Sequence, residues 1–133
     1  MRQVTRCSGT TAKRFAYTRV VTRVGEFGIT LETVSEGTVV ATVDGELDLA
    51  TCPELEQAMA QASLEDRLVV DLEGCTFLDS SAIRVLVERA RASREAGGSM
   101  AIVASGSGIR RVLEIAALES LIELHPTREA ALS

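Results

Sequence analysis

The stretch LVVDLEGCTFLDSSAIRVLVERA, residues 68–90, decides the fold. Leu68-Val69-Val70 is an apolar run without polar alternation, as expected of a strand buried on both faces. The run passes Asp71 and Gly74 and closes on Phe77-Leu78. Asp79-Ser80-Ser81 comes next, three residues that favour a helix N-cap. Ala82, Ile83, Leu86, Val87 and Ala90 then recur at helical spacing, with Arg84, Glu88 and Arg91 between them. A strand therefore empties into a short loop whose tip carries two hydroxyls at a helix N-terminus. An α/β sheet presents its functional groups at such a place.

Working towards the N-terminus, Glu65-Asp66 lead into the buried strand, expected over 68–72. Before them Leu55, Ala58, Met59 and Ala62 recur at amphipathic helical spacing. Thr51 and Glu54 have the spacing of a capping box, with Pro53 tolerated in the first turn. Asp44-Gly45-Glu46-Leu47-Asp48 reads as a loop with three carboxylates. Residues 28–34 alternate as a half-buried strand, the turn Ser35-Glu36-Gly37 follows, and residues 38–43, TVVATV, form a second strand, which predicts an antiparallel hairpin. Residues 15–24, FAYTRVVTRV, are β-prone and offer an irregular extra strand.

Towards the C-terminus, the helix over about 80–95 meets the C-cap signal Gly97-Gly98, and SMAIVA (99–104) is a further buried strand. Ser105-Gly106-Ser107 opens a helix with Ile109, Val112, Leu113 and Ala116 inward. Leu121, Ile122 and Leu124 mark a last strand, and Pro126-Thr127 opens a short C-terminal helix. The order β-β-α-β-α-β-α-β-α predicts an α/β fold. Its sheet is mixed but mostly parallel, of about five strands in sequential βα units. Right-handed crossovers then gather the helices mainly on one face.

Composition narrows the function. The 133 residues fit one domain. Aromatics are 3% and Trp is absent, so the 46% apolar fraction must build an aliphatic core. No apolar run approaches the ~18 residues of a membrane span. Cys7, Cys52 and Cys75 lack paired or metal-like spacing, as expected of reduced cytosolic thiols. The thiols are expected to be structural, with Cys75 buried, while the place of Cys52 in a helix first turn leaves room for thiolate character. Residues 1–24 hold six basic residues and no acid, leaving eight basic residues against all 19 acids in the remainder. A basic tail on an acidic domain is one way to contact nucleic acid or membrane. This one lacks a helical or heptad pattern, so 1–24 reads as a poorly ordered extension that adds little to a domain at 25–133.

The residues LVVDLEGCTFLDSSAIRVLV also resemble the signature of STAS domains, most closely the bacterial anti-sigma factor antagonists. GELDLAT (45–51) resembles the loop after that family's second strand, and SGIRRVLEIAALESLIEL (107–124) its last helix and strand. The resemblance spans roughly residues 28–132. Ala82 stands where the family usually has Gly. The family's phosphorylated serine follows the Asp, which falls on Ser80. The resemblance implies partner binding through Gly45, Glu46, Asp48, Asp79, Ser80, Ser81 and Arg84. It implies a cytoplasmic phosphoprotein that regulates transcription by binding an anti-sigma factor that is also a serine kinase, thereby releasing a sigma factor. A phosphatase would reset the switch. The protein would be a monomer or weak dimer with no cofactor and no direct nucleic-acid contact. An alternative within the family is a regulatory or scaffold subunit, of a lipid-transport ABC ATPase or a stress-signalling assembly, that is not phosphorylated.

No enzyme is expected. A serine nucleophile needs a base and an oxyanion site. There is no Gly-x-Ser-x-Gly elbow, and His125, the only imidazole, lies at the end of the last strand. Ser105-Gly106-Ser107-Gly108 lacks the Lys-Ser/Thr of a nucleotide-binding loop and reads as an N-capped helix start. Asp44, Glu46 and Asp48 lack the spacing of a calcium loop, so no metal site is expected there.

Overall fold

The computed structural model describes residues 19–24, 26–115 and 121–133. Among these described residues, six strands form one sheet in sequence order: β1 (Arg19–Val24), β2 (Phe27–Ser35), β3 (Thr38–Leu47), β4 (Arg67–Leu78), β5 (Ser99–Val103) and β6 (Glu123–His125). β1, β2 and β3 pair antiparallel, and β3, β4, β5 and β6 pair parallel. Four helices connect or follow them: α1 (Cys52–Met59), α2 (Ser80–Glu95), α3 (Ser107–Ile115) and α4 (Arg128–Leu132).

The pleat sorts the strand residues into two faces. Val39, Ala41, Val43, Leu68, Val70, Leu72, Met100 and Ile102 join Leu55 of α1, Leu86 of α2 and Leu113 of α3 in the main core. The alternate residues Val40, Val69, Ala101 and Val103 meet Ala131 of α4 on the opposite face. The unbroken apolar reading of 68–70 follows directly, because Val69 has one face and its two neighbours have the other. The expected one-sided arrangement is met by α1, α2 and α3, with α4 behind the sheet.

Buried Arg89 on α2 ties two of these helices together. Its guanidinium donates to the Met59 carbonyl, to the Ala62 and Ser63 carbonyls at 3.2 Å each, and to Ser93 Oγ at 3.2 Å. It thereby satisfies backbone acceptors left open at and beyond the end of α1. Behind the sheet, Arg128 donates to Asp71 Oδ2 at 2.7 Å and to Thr42 Oγ1 at 2.9 Å. Arg67 donates to the Ala131 carbonyl at 2.7 Å and to both oxygens of Glu123. These contacts hold α4 down, although α4 contributes only Ala131 to the buried surface.

Several sequence expectations are corrected. The boundary after residue 24 cuts the sheet, because residues 19–24 pair with β2 from Arg19↔Glu32 to Val24↔Phe27. The extra strand anticipated within 15–24 is thus an edge strand at 19–24, while residues 1–18, Cys7 among them, lie outside the described residues. The segment 44–47, expected as loop, continues β3 beside β4 with irregular register at Thr42/Asp44 and Gly45/Glu46. β4 likewise runs to Leu78, not 72. Pairing between the two extended strands overrides the turn preference of Asp44 and Gly45. The last strand is displaced to Glu123–His125. Among the described residues, no helix is long and apolar enough to cross a membrane.

Candidate functional site

Because β3 and β4 are parallel, their C-terminal ends reach the same edge. Glu46 pairs with Phe77 and Leu47 with Leu78, and the Asp79 N–H donates to the Leu47 carbonyl at 3.1 Å. The predicted residues Gly45, Glu46, Asp48, Asp79, Ser80 and Ser81 therefore gather at one end of the sheet. Gly45 has φ +103°, and a Cβ there would lie 3.1 Å from both the Glu26 carbonyl oxygen and Phe27 Cα. Only glycine fits this backbone where β3 passes so close to the start of β2.

A single residue, Asp79, separates β4 from α2. Its backbone is extended, and Oδ1 accepts from the Ala82 N–H at 3.0 Å, the N-cap contact expected from the sequence. The same oxygen accepts from Ser81 Oγ at 2.6 Å. The Ser81 hydroxyl and the Ala82 N–H, helped by the Ser81 and Leu49 backbone N–H groups, hold the Asp79 carboxyl below its ordinary range. Asp79 is therefore a carboxylate at neutral pH. Ser81 is half-buried, and it also receives the Cys52 thiol at 3.7 Å from the first turn of α1.

Ser80 differs from its neighbour. It is the first residue of α2, it is exposed, and its hydroxyl has no hydrogen-bond partner among the described residues. Arg84 lies one turn further along and is exposed, so a cation stands near the tip without being engaged by it.

The loop before α1 is built around Asp48. Its Oδ1 accepts from the Ala50 N–H at 3.0 Å and the Thr51 N–H at 3.1 Å. Thr51 Oγ1 donates to the Glu46 carbonyl at 2.8 Å and accepts from the Asp48 N–H at 2.9 Å. The capping box expected from Thr51 and Glu54 does not form, since Thr51 makes no side-chain cap bond to α1. Its hydroxyl is committed to the turn that precedes the helix. Asp48 is therefore a turn-forming carboxylate, and Glu46 is the exposed acid of the pair.

Two residues missed by sequence reasoning flank the tip. Leu49 is 75% exposed and Phe77 48% exposed, an unusual placement for large apolar side chains. The sequence shows Phe77 and Leu78 only as an apolar pair, and the irregular register beside Gly45/Glu46 leaves Leu78 as the inward residue. Leu49 had only the weak signal of an isolated apolar residue in a polar loop. Cys52 is buried, and desolvation pushes its thiol up, against the opposing Ser81 hydrogen bond, so the thiolate option its helix first turn left open is not taken. Cys75 is buried as expected, its thiol donating to the Phe77 carbonyl at 3.1 Å and raised by burial.

The other candidates lie apart. The Glu73 carboxylate sits on the 105–108 loop, accepting from the Ser105 N–H at 2.5 Å and from Ser105 Oγ at 2.7 Å. An internal anion thus takes the place a phosphate would need. His125 is on β6, with Nε2 2.9 Å from Glu123.

The geometry is that of a tip held by backbone and cap hydrogen bonds, flanked by exposed Leu49 and Phe77 and carrying the open Ser80 hydroxyl. A family model for the STAS domain matches residues 31–131. RsfB, an anti-sigma-F factor antagonist of Mycobacterium tuberculosis, is 33% identical over 101 residues, covering 73% of this chain and 80% of that protein. The crystal structure of an anti-sigma factor antagonist from Mycobacterium paratuberculosis superposes with a TM-score of 0.63 at 31% identity, over 86% of this chain and 90% of that one. The fold also matches the unphosphorylated form of the anti-sigma factor antagonist SpoIIAA, with a TM-score of 0.63 at 24% identity, over 78% and 92% of the two chains. By sequence and fold together, the chain belongs to the STAS domain family.

Proposed function

We propose that the chain is an anti-sigma factor antagonist switched by phosphorylation of Ser80. In its unphosphorylated form it binds an anti-sigma factor that is also a serine kinase, and a sigma factor is released. The kinase transfers the γ-phosphoryl of its own bound ATP to Ser80 Oγ, with ADP leaving and the hydroxyl proton lost. A phosphatase resets the switch. In this scheme the chain is substrate and binding module, and the chemistry belongs to its partners. The relatives named above support the antagonist role.

The observation that carries the choice of residue is the contrast between the two hydroxyls. Ser80 is exposed and unpartnered, whereas Ser81 is held between Asp79 and Cys52. A phosphate at the start of α2 meets the favourable end of the helix dipole. It also meets the Asp79 carboxylate, which opposes it. These effects offset each other within the fold, so the phosphate acts mainly on the partner's surface around Leu49, Phe77, Glu46 and Arg84.

The test is titration of variants against the kinase partner, with mass spectrometry after ATP is added. Ser80→Ala keeps the Asp79 cap, so it should bind as well as wild type or better and lose all but a trace of phosphate transfer. Ser80→Asp places an uncompensated charge in the interface. A buried unpaired charge costs ~3 kcal/mol or more, so affinity should fall by roughly a hundredfold with stability nearly unchanged. Wild-type affinity for Ser80→Asp, or no phosphate on the wild-type chain, would leave a docking subunit without a phosphoswitch.

A further inference from the structure

We infer that Cys52 and Ser81 are positioning residues that leave Ser80, of the two serine hydroxyls at the start of α2, as the one open to a kinase. The inference deepens the proposed function and rests on it for the phosphate-transfer step, but the link itself is a separate property of the fold. The Cys52 thiol, in the first turn of α1, donates to Ser81 Oγ at 3.7 Å. Ser81 Oγ donates in turn to Asp79 Oδ1 at 2.6 Å. That carboxylate caps α2 through the Ala82 N–H at 3.0 Å. Three side chains from three places thus form one line of hydrogen bonds joining the N-termini of α1 and α2.

The line has two consequences. First, the single proton of the Ser81 hydroxyl is committed to a short, charge-assisted bond, the strong kind. One of its acceptor positions is taken by the thiol. To accept phosphate, Ser81 must leave both partners and swing out of a half-buried position, while Ser80 needs no such change. Second, the thiol is matched to its place. Cys52 is 5% exposed, so a small, weakly polar donor sits there at little desolvation cost. An alanine would remove this contact and leave Ser81 held by Asp79 alone. A serine would keep the donor.

The test combines one measurement that needs no kinase with one that does. The Ser81 χ1 rotamer is read from three-bond NMR couplings in wild type, Cys52→Ser and Cys52→Ala. One rotamer is expected in the first two and a larger share of the other rotamers in Cys52→Ala, where the Asp79 bond alone remains. An averaged rotamer in wild type, or an unchanged single rotamer in Cys52→Ala, overturns the inference. In the second measurement, each Cys52 substitution is combined with Ser80→Ala and incubated with the kinase partner and ATP. Phosphate on Ser81 should rise roughly fivefold in Ser80→Ala/Cys52→Ala over Ser80→Ala, about the worth of one hydrogen bond. Cys52→Ser in the same background should restore the low level. Equal phosphorylation of Ser81 in all three overturns the inference. If the wild-type chain accepts no phosphate at all, the switch fails, and the rotamer result alone decides the link.

Discussion

On one face of the sheet, Leu55, Leu86 and Leu113 from three helices bury themselves against Leu68, Val70, Leu72 and Ile102. On the other, α4 covers four small aliphatic residues with one alanine and is held by arginines: Arg128 on Asp71 and Thr42, Arg67 on Glu123 and the Ala131 carbonyl. The first face is cohesive through volume and apolar area, which respond little to pH or salt. The second depends on charge geometry, which responds to both. A helix of five residues cannot bury enough apolar surface to stay put unaided, and the arginines supply what it lacks.

The largest effect is expected on the helical face. Leu86 is fully buried, and Leu86→Ala should lower stability in urea by ~3 kcal/mol, with little dependence on salt. A loss below ~1 kcal/mol would mean that the packing there collapses around the gap. Behind the sheet, Arg128→Ala leaves the Asp71 carboxylate, 6% exposed, with only the Glu73 N–H as partner among the described residues. It should cost ~2 kcal/mol, and proteolysis should then cut first at the C-terminus. Equal protection of α4 in this variant would show that Ala131 alone retains the helix.

Removing residues 1–24 opens neither face but strips β1 from β2. A loss of ~1–2 kcal/mol is expected, read as a thermal midpoint lower by roughly 4–8 °C for each kcal/mol. A shorter deletion that starts the chain at Arg19 separates the strand from the segment before it. The smallest effect is acid-dependent. The Arg67 hydrogen bond, then that of His125, lowers the Glu123 carboxyl to about 2. A depressed folded value stabilises the fold above the unfolded carboxyl range, and this contribution is lost as pH falls from about 4.5 to about 2. Because Glu123 is half exposed, the loss should stay under ~1 kcal/mol. Glu123→Gln should flatten that part of the acid denaturation curve, and an unchanged curve would remove the pair from the account.

Much of this was legible in the residues. Asp79-Ser80-Ser81 announced the start of α2 because capping is local chemistry, and the 68–70 run announced a central strand because both its faces are covered. What escaped were features set by distant neighbours. β3 runs through the acidic 44–47 segment because β4 offers it backbone partners, and no local preference encodes that. Thr51 had the spacing of a capping box, yet its hydroxyl went to Glu46 and Asp48, a choice made by the turn. The tip's apolar flank was invisible for the same reason, since register alone decides that Leu78 turns inward and Phe77 outward.

The one-residue join between β4 and α2 bears on the speed of recognition. A tip on a long loop would sample many shapes, and ordering it on encounter would slow association and weaken the complex. Here Asp79 is fixed on both sides, by the Leu47 carbonyl and by its own cap, so under the proposed function Ser80 would meet a partner in a conformation it already holds. Association should then proceed at the ordinary protein–protein range of about 10⁵–10⁷ M⁻¹s⁻¹. Changes at the tip, a phosphate included, should be felt chiefly as a shorter residence time.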